Sequence, residues 1–161
     1  MTLVVADTGP LRYLILVRAI DVLPKLYDAI VIPVAVLSEL QHPSAPVGVR
    51  AWTTKLPGWI TVRSPARVET NLHLGLGELE AIALTEELRA AAVLLDDRHA
   101  REVADAKGLR VAGTLGVLEQ AAIVGLLDLR ATFERLHLTN FRGDERLFAE
   151  ALALMEMRQK A

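Results

Sequence analysis

Four acidic residues stand where carboxylates from different parts of the chain can meet at one edge of a sheet. Asp7 ends the apolar run in VVADTGPL, and Asp96 ends the run in AAVLLDD. Parallel strands direct the side chains at their carboxyl ends into a shared crevice. Glu39 in VAVLSELQ and Glu78 in GLGELEAIAL each interrupt an apolar or small-residue helical segment, where a carboxylate needs solvent or a partner. Together the four residues predict a carboxylate cluster.

Spacing indicates which member of each acidic pair faces this cluster. At about 100° per residue, Glu78 and Glu80 project to nearly opposite sides of a helix, so only one can enter a small site. Glu78 follows Gly77 in the predicted first turn, and we favour it. Asp96 and Asp97 diverge as the chain leaves its strand, so Asp96 is the primary candidate and Asp97 a helix cap or a second contact.

The chemistry that suits such a cluster is the binding of a cation. Three or four carboxylates in one cleft repel each other, and without a cation some of them take up protons at a raised pKa. Mg²⁺ and Mn²⁺ prefer oxygen ligands and bridge carboxylates to phosphate, as phosphodiester hydrolysis requires. Helix capping is the alternative role for Asp7 and Asp97, because Asp is favoured at the start of a helix.

The elements that position these acids alternate along the chain. Short runs rich in Val and Ile alternate with longer segments of helical periodicity, which is typical of βαβ units around a parallel sheet. We predict strands at 3–6, 29–32, 60–62, 92–95 and 109–112. We predict helices at 10–17, 33–41, 77–88, 98–107 and 114–124, with further helix from 130 to 157. Two prolines and a glycine in QHPSAPVG predict a surface loop.

Composition narrows the class of protein. The 161 residues fit one domain, and 52% hydrophobic with 24% charged residues is typical of a globular protein. Because cysteine is absent, any metal must be held by oxygen or imidazole, and the four histidines lack the spacing of a metal-binding helix. The net charge of −2 gives no general attraction to nucleic acid. With no apolar run of about 18 residues and no basic leader, we expect a cytoplasmic protein without membrane contact.

The acidic segments, in their order along the chain, resemble one protein family. VVADTGPL, VIPVAVLSEL and GLGELEAIALTEELRAAAVLLDDRHAREVADAKGLRVAGTLGVL are similar to PIN-domain proteins, close to a prokaryotic branch related to VapC-type toxins. The resemblance spans roughly residues 3 to 125. It implies a single three-layer α/β/α domain over residues 1–161, with a mainly parallel sheet and a Mg²⁺- or Mn²⁺-dependent ribonuclease site.

The resemblance also assigns roles to residues. It matches the family's four acids, in chain order and as both metal ligands and catalytic residues, to Asp7, Glu39, Glu78 and Asp96. Thr8 matches the small hydroxyl residue that often follows the first Asp. Many relatives carry a further acid or Asn after the last core strand, where RVAGTLGVL has Thr114, and Asp97 is the residue that can compensate. Thr8, Asp97 and Thr114 are therefore secondary candidates.

The partners expected from this resemblance are RNA and, if the protein is a toxin, a cognate antitoxin. Arg98 and Arg101 follow Asp96 and either contact an RNA backbone or belong to a solvated helix face. Helices at about 128–158 complete the domain or form a subunit contact. An apolar stripe there, together with the family, predicts a homodimer; its residues are Leu147, Phe148, Ala151, Leu154 and Met155.

Two other functions remain open. A receiver-like regulatory domain also places acids at strand ends, but it is expected to show an acidic pair after the first strand, whereas Asp7 is followed by Thr-Gly-Pro. A PIN-like binding or regulatory module with weak or no catalysis is the stronger alternative. It would act through oligomerisation or a partner protein, and Thr114 in place of an acid keeps it open.

Overall fold

Short aliphatic runs form the central sheet of the computed structural model, which describes residues 1–160. The five strands are β1 (Leu3–Ala6), β2 (Ala29–Pro33), β3 (Ile60–Arg63), β4 (Ala92–Leu94) and β5 (Val111–Ala112). Neighbouring strands are all parallel, in the order β3-β2-β1-β4-β5. The strand ends that precede Asp7 and Asp96 therefore lie side by side, with Ala6 in register with Leu94.

Helices connect the strands and cover the sheet. In chain order they are α1 (Thr8–Leu16), α2 (Leu23–Leu26), α3 (Val34–Leu40), α4 (Val47–Thr53), α5 (Leu76–Glu87), α6 (Arg98–Ala106), α7 (Thr114–Ile123), α8 (Leu129–His137) and α9 (Glu145–Lys160). Two 3₁₀ turns lie at Ile20–Val22 and Thr70–Leu72. Within residues 1–160, no helix has the length and apolar character needed to cross a bilayer.

The two faces of the sheet pack against different helices. Val4 and Ala6 of β1 belong to a core that includes residues of α1, α3, α7, α8 and α9. Val5, which points the other way, belongs to a second core with residues of α5 and α6. Because the sheet is buried on both faces, its strands are continuous apolar runs instead of alternating ones. The predicted three-layer α/β/α fold is confirmed.

The structure differs from the predicted elements in several places, and the short helix α2 is one that was not predicted. Helix α4 was not predicted, because the prolines of QHPSAPVG indicate a loop; the helix begins directly after Pro46 and buries Val49. Strand β5 has only two residues. The predicted helical region from 130 to 157 is divided by a turn between α8 and α9, in which Asn140 accepts a hydrogen bond from the Tyr13 hydroxyl.

The apolar stripe of α9 divides between the core and the surface. Phe148 and Ala151 are buried, and the Phe148 ring packs edge-to-face on Phe133 of α8 at 4.9 Å between centroids. Leu147 and Leu154 are 47% and 60% exposed. The helix therefore completes the core with one part of the stripe and leaves the other part uncovered within this chain.

This division predicts different costs for two substitutions on the same helix. Phe148→Ala should lower the free energy of unfolding by about 3–5 kcal/mol, since it leaves a cavity against Phe133. Leu154→Ala should change the free energy of unfolding of the monomer by no more than about 0.5 kcal/mol, because the residue is exposed. Urea unfolding of both variants at low protein concentration provides the measurement. Equal losses in the two variants would contradict this packing of α9.

Candidate active site

Asp7 lies at the end of the central strand with its carboxylate buried. Its backbone N–H donates to the Leu94 carbonyl at 3.0 Å, which extends the pairing of β1 with β4 by one residue. The residue is 5% exposed, and Oδ1 is buried with no hydrogen-bond partner among residues 1–160. Although Asp7 occupies the N-cap position of α1, its side chain makes no capping hydrogen bond. Helix capping therefore does not account for this carboxylate.

Asp96 lies beside Asp7, and Thr114 holds its carboxylate in place. The backbone N–H of Thr114 donates to Oδ1 at 2.7 Å, and the Thr114 hydroxyl donates to Oδ2 at 2.6 Å. Thr114 is fully buried at the first position of α7, and only Gly113 separates it from the short strand β5. Gly9 of α1 approaches the same carboxylate, since a Cβ atom there would lie 3.3 Å from Oδ2. Thr114 thus fixes both oxygens of Asp96.

Asp97 has the capping role that Asp7 lacks. Its Oδ2 accepts the backbone N–H of Ala100 at 2.9 Å, at the start of α6. Of the two roles that the sequence allowed for Asp97, helix capping is the one seen in the structure.

Glu39 reaches the site from the last turn of α3 and joins the starts of two other helices. Its Oε2 accepts the Thr8 hydroxyl of α1, and its Oε1 accepts the backbone N–H of Gly77 in α5 at 3.2 Å. A Cβ atom at Gly77 would lie 2.7 and 2.8 Å from the two carboxylate oxygens. Only glycine therefore leaves room for Glu39 in this position.

Glu78 and Glu80 bond to different elements, as their spacing on the helix requires. Glu78 is in the first turn of α5, and its Oε1 accepts the backbone N–H of Gly75 at 3.1 Å. Glu80 accepts the backbone N–H of Ala35 in α3 at 3.2 Å. Glu78 is the one of the two whose charge acts on Asp7.

The four primary candidates lie close enough together for the charges of three of them to act on the fourth, Asp7. Burial raises the pKa of Asp7 to about 7; the Thr8 backbone N–H opposes the shift, and the charges of Glu78, Glu39 and Asp96 add to it. Burial also raises the pKa of Asp96, against the Thr114 hydrogen bonds and the charge of Arg101. The pKa of Glu78 is raised by burial and by the charges of Asp97 and Glu39.

The donor set is suited to a hard divalent cation. It consists of carboxylate oxygens, and Oδ1 of Asp7 is buried without a partner. A bound cation would reverse the electrostatic cost of ionising Asp7 beside three further acids. In the arrangement of residues 1–160, however, no group of three or more His, Asp or Glu side chains has the geometry of a formed ion site. The residues fit a cation chemically, and binding would require their carboxylates to rearrange.

The small residues and backbone groups that hold the acids were not predicted from the sequence. Gly77 provides both space and an N–H for Glu39, and Gly113 provides space beside Asp96. Their only local signal is a glycine one residue before Glu78 and one before Thr114.

Arg98 and Arg101, which the sequence could not separate, differ in surroundings. Arg98 pairs with Glu102 at 3.4 Å with a 94% exposed side chain, whereas Arg101 is partly buried and donates to the Leu95 carbonyl.

The raised pKa of Asp7 predicts a pH-dependent effect of Asp7→Asn on stability. Asp7 has a pKa of about 7 in the folded protein and 3.8 in the unfolded chain, so the folded state binds the Asp7 proton more tightly. The free energy of unfolding of the wild type therefore falls as the pH rises from about 4 to about 7. Without added metal, Asp7→Asn should be the more stable protein at pH 8, by on the order of 4 kcal/mol, and the difference should be nearly lost at pH 4.

Urea unfolding in EDTA at pH 4, 6 and 8 measures this difference. Asp105→Asn, at an exposed position of α6, is the matched control and should show no such trend. A stability difference for Asp7→Asn that is constant across the three pH values would contradict the buried, unpartnered state of the carboxylate.

Comparison with known proteins gives matches to both the sequence and the fold. Residues 3–157 match the family model DUF3368, described as a PIN domain. A solved PilT N-terminus domain protein from the hyperthermophilic archaeon Sulfolobus solfataricus P2 is similar at a TM-score of 0.54 and 17% identity, covering 74% of this chain and 93% of that one. At this identity the likeness concerns the fold alone. No protein with a curated description matches. Because the family model matches nearly all of its length, this chain belongs to the DUF3368 family of PIN domains, a superfamily of nucleases.

Proposed function

We propose that this PIN-domain protein hydrolyses RNA phosphodiester bonds with the aid of Mg²⁺ or Mn²⁺ bound by the acidic cluster. The observation that carries the proposal is the carboxylate of Asp7, which is buried, has an oxygen without a partner and lies among three further acids. No cationic side chain is among the groups that shift its pKa. PIN domains generally use divalent metal ions, and a cation would stabilise the ionised form of this carboxylate.

Asp7 and Asp96 are the proposed primary ligands, with Glu39 and Glu78 completing the pocket. When bound, a divalent cation supplies positive charge for a transferring phosphoryl group and lowers the pKa of water. Thr114 orients Asp96, and Thr8 with Gly77 orients Glu39, so these hydrogen bonds restrain the carboxylates near the positions from which they would rearrange to hold a cation. The Thr114 hydrogen bonds leave further lone pairs on each Asp96 oxygen for coordination.

An alternative is a PIN-like binding or regulatory module with little or no catalysis. Thr114 favours it, because both of its hydrogen-bond donors are used to hold Asp96, and it brings no charge where many relatives have an acid. The receiver-like alternative is set aside, since the chain belongs to a family of PIN domains. Clear Mn²⁺ binding without cleavage of any RNA would favour the binding module.

Cleavage of RNA by purified protein tests the proposed reaction. With Mn²⁺ present, Asp7→Asn should lower the cleavage rate by about 100-fold or more, because it removes a ligand charge while keeping the shape of the side chain. Asp105→Asn should cleave at the wild-type rate, and EDTA should stop cleavage by the wild type and by Asp105→Asn. Cleavage that persists in EDTA, or that is equal in wild type and Asp7→Asn, would point to a contaminating nuclease and contradict the proposal.

We also propose that the protein forms a homodimer, and that it acts as the toxin of a toxin–antitoxin pair. Exposed apolar residues on α9 and at the end of α7 support self-association; these are Leu147, Leu154, Met157, Ile123 and Val124.

The similarity of the acidic segments to VapC-type toxins supports the toxin role, in which an antitoxin protein would be the second partner.

Light scattering measures the predicted dimer directly. At micromolar concentration the wild-type protein should have about twice the 17.6 kDa mass of one chain. Leu154→Glu should shift the protein toward the monomer, because it places a charge on an exposed apolar side chain of this surface. A wild-type mass of one chain at all concentrations tested would remove the dimer.

A further inference from the structure

We infer that Arg101 binds a phosphate of the substrate beside Asp96. The guanidinium reaches this position because Gly113 has no side chain. The inference rests on the proposed function, since a nuclease must hold the anionic backbone next to its acidic cluster. Phosphate contacts of this kind position a nucleic acid without reading its sequence.

The backbone at the end of β4 places the Arg101 side chain at the site. Its Nη1 donates to the Leu95 carbonyl at 3.0 Å, and Leu95 directly precedes Asp96. The Arg101 charge is among the groups that act on Asp96, so the guanidinium lies close to that carboxylate. Arg101 is thus held at the site by strand-end backbone and not by another side chain.

Gly113 provides the room for this arrangement. A Cβ atom at Gly113 would lie 2.5 Å from Arg101 Nη1 and 3.0 Å from Asp96 Oδ1, so the guanidinium and the carboxylate approach the same backbone atom. The backbone of Gly113 is extended, with φ −107° and ψ −178°, a conformation that other residues adopt without strain. Glycine here leaves the space that Arg101 Nη1 occupies, and a larger residue would require the guanidinium to shift.

Arg101 has donors available for an anion. Its hydrogen bond to Leu95 uses one of five N–H groups. In the described part of the chain, residues 1–160, Arg101 takes part in none of the ion pairs. A partly buried guanidinium with free N–H groups beside a cluster of acids matches the oxygens of a phosphate, which it can contact with two parallel hydrogen bonds.

Arg98 provides a matched control on the same helix. It lies three residues earlier, follows the same pair of aspartates and carries the same charge, but its side chain is 94% exposed and pairs with Glu102. If general charge near the site were enough for RNA binding, substitution of either arginine would have the same effect. If the inference is correct, only Arg101 contributes strongly.

The experiment measures binding of a fluorescently labelled single-stranded RNA by anisotropy, in Mg²⁺ and in an Asp7→Asn background that prevents cleavage. Arg101→Ala should weaken binding by about tenfold or more, as expected for a lost charge-assisted contact. It should also reduce the slope of log K against log salt by about 0.7, the value for one phosphate contact on a single strand. Arg98→Ala should change the affinity less than about twofold.

Two further variants separate phosphate binding from a structural role. Arg101→Lys should retain the salt slope and lose part of the affinity, because it keeps the charge but not the planar fork. Gly113→Ala should weaken binding by displacing Arg101, and it should add little further loss in an Arg101→Ala background.

The outcomes distinguish this inference from the proposed function. An Arg101→Ala protein that unfolds more easily but keeps wild-type RNA affinity and salt slope would overturn the inference and leave the nuclease proposal standing. Equal losses for Arg98→Ala and Arg101→Ala would also overturn it. If neither the parent protein nor any variant binds RNA, both the inference and the proposed RNA substrate fail.

Discussion

The structure of the site depends on one buried carboxylate at the end of the central strand. The backbone of Asp7 continues the pairing between β1 and β4, which fixes its Cα at the end of the central strand, and its side chain is buried there. Burial, with a smaller contribution from the charges of the neighbouring acids, raises the pKa of this carboxyl to about 7. A chain that retains such a group loses stability when the group ionises without a counter-charge. Function at this position is the simplest reason for keeping it.

The other acids are arranged around Asp7 by groups that carry no charge. Thr114 holds Asp96 with two hydrogen bonds, and Thr8 and Gly77 together hold Glu39. These neutral donors orient the carboxylates but do not cancel their charges. Arg101 is the cation whose charge acts on Asp96, and within residues 1–160 it forms an ion pair with none of these acids, which suits a cluster that receives further positive charge from a bound cation. Full neutralisation by arginine or lysine would instead produce ion pairs with little remaining affinity for a metal.

Much of the fold could be predicted from the sequence because a parallel sheet buried on both faces leaves continuous apolar runs. Strand β1 and the start of helix α6 lie where the sequence predicts them. Helix α4 was not predicted because the prolines before it indicate a loop, and its short apolar face begins only at Val47. The positions of the acids could be predicted as well, because they follow strands or interrupt apolar helices. Their contacts could not, since Thr114 meets Asp96 from 18 residues away and Gly77 meets Glu39 from 38 residues away.

The central claim is that the acids around Asp7 form a divalent-cation site. Anomalous diffraction from crystals grown with Mn²⁺ tests it most directly, because the anomalous signal locates the metal without reference to activity. The account predicts an anomalous peak in direct contact with Asp7 Oδ1 and with a carboxylate oxygen of Asp96, and no peak in crystals of Asp7→Asn grown in the same way. A peak that lies away from this cluster, or a cluster that stays empty at millimolar Mn²⁺ in well-ordered wild-type crystals, would contradict it.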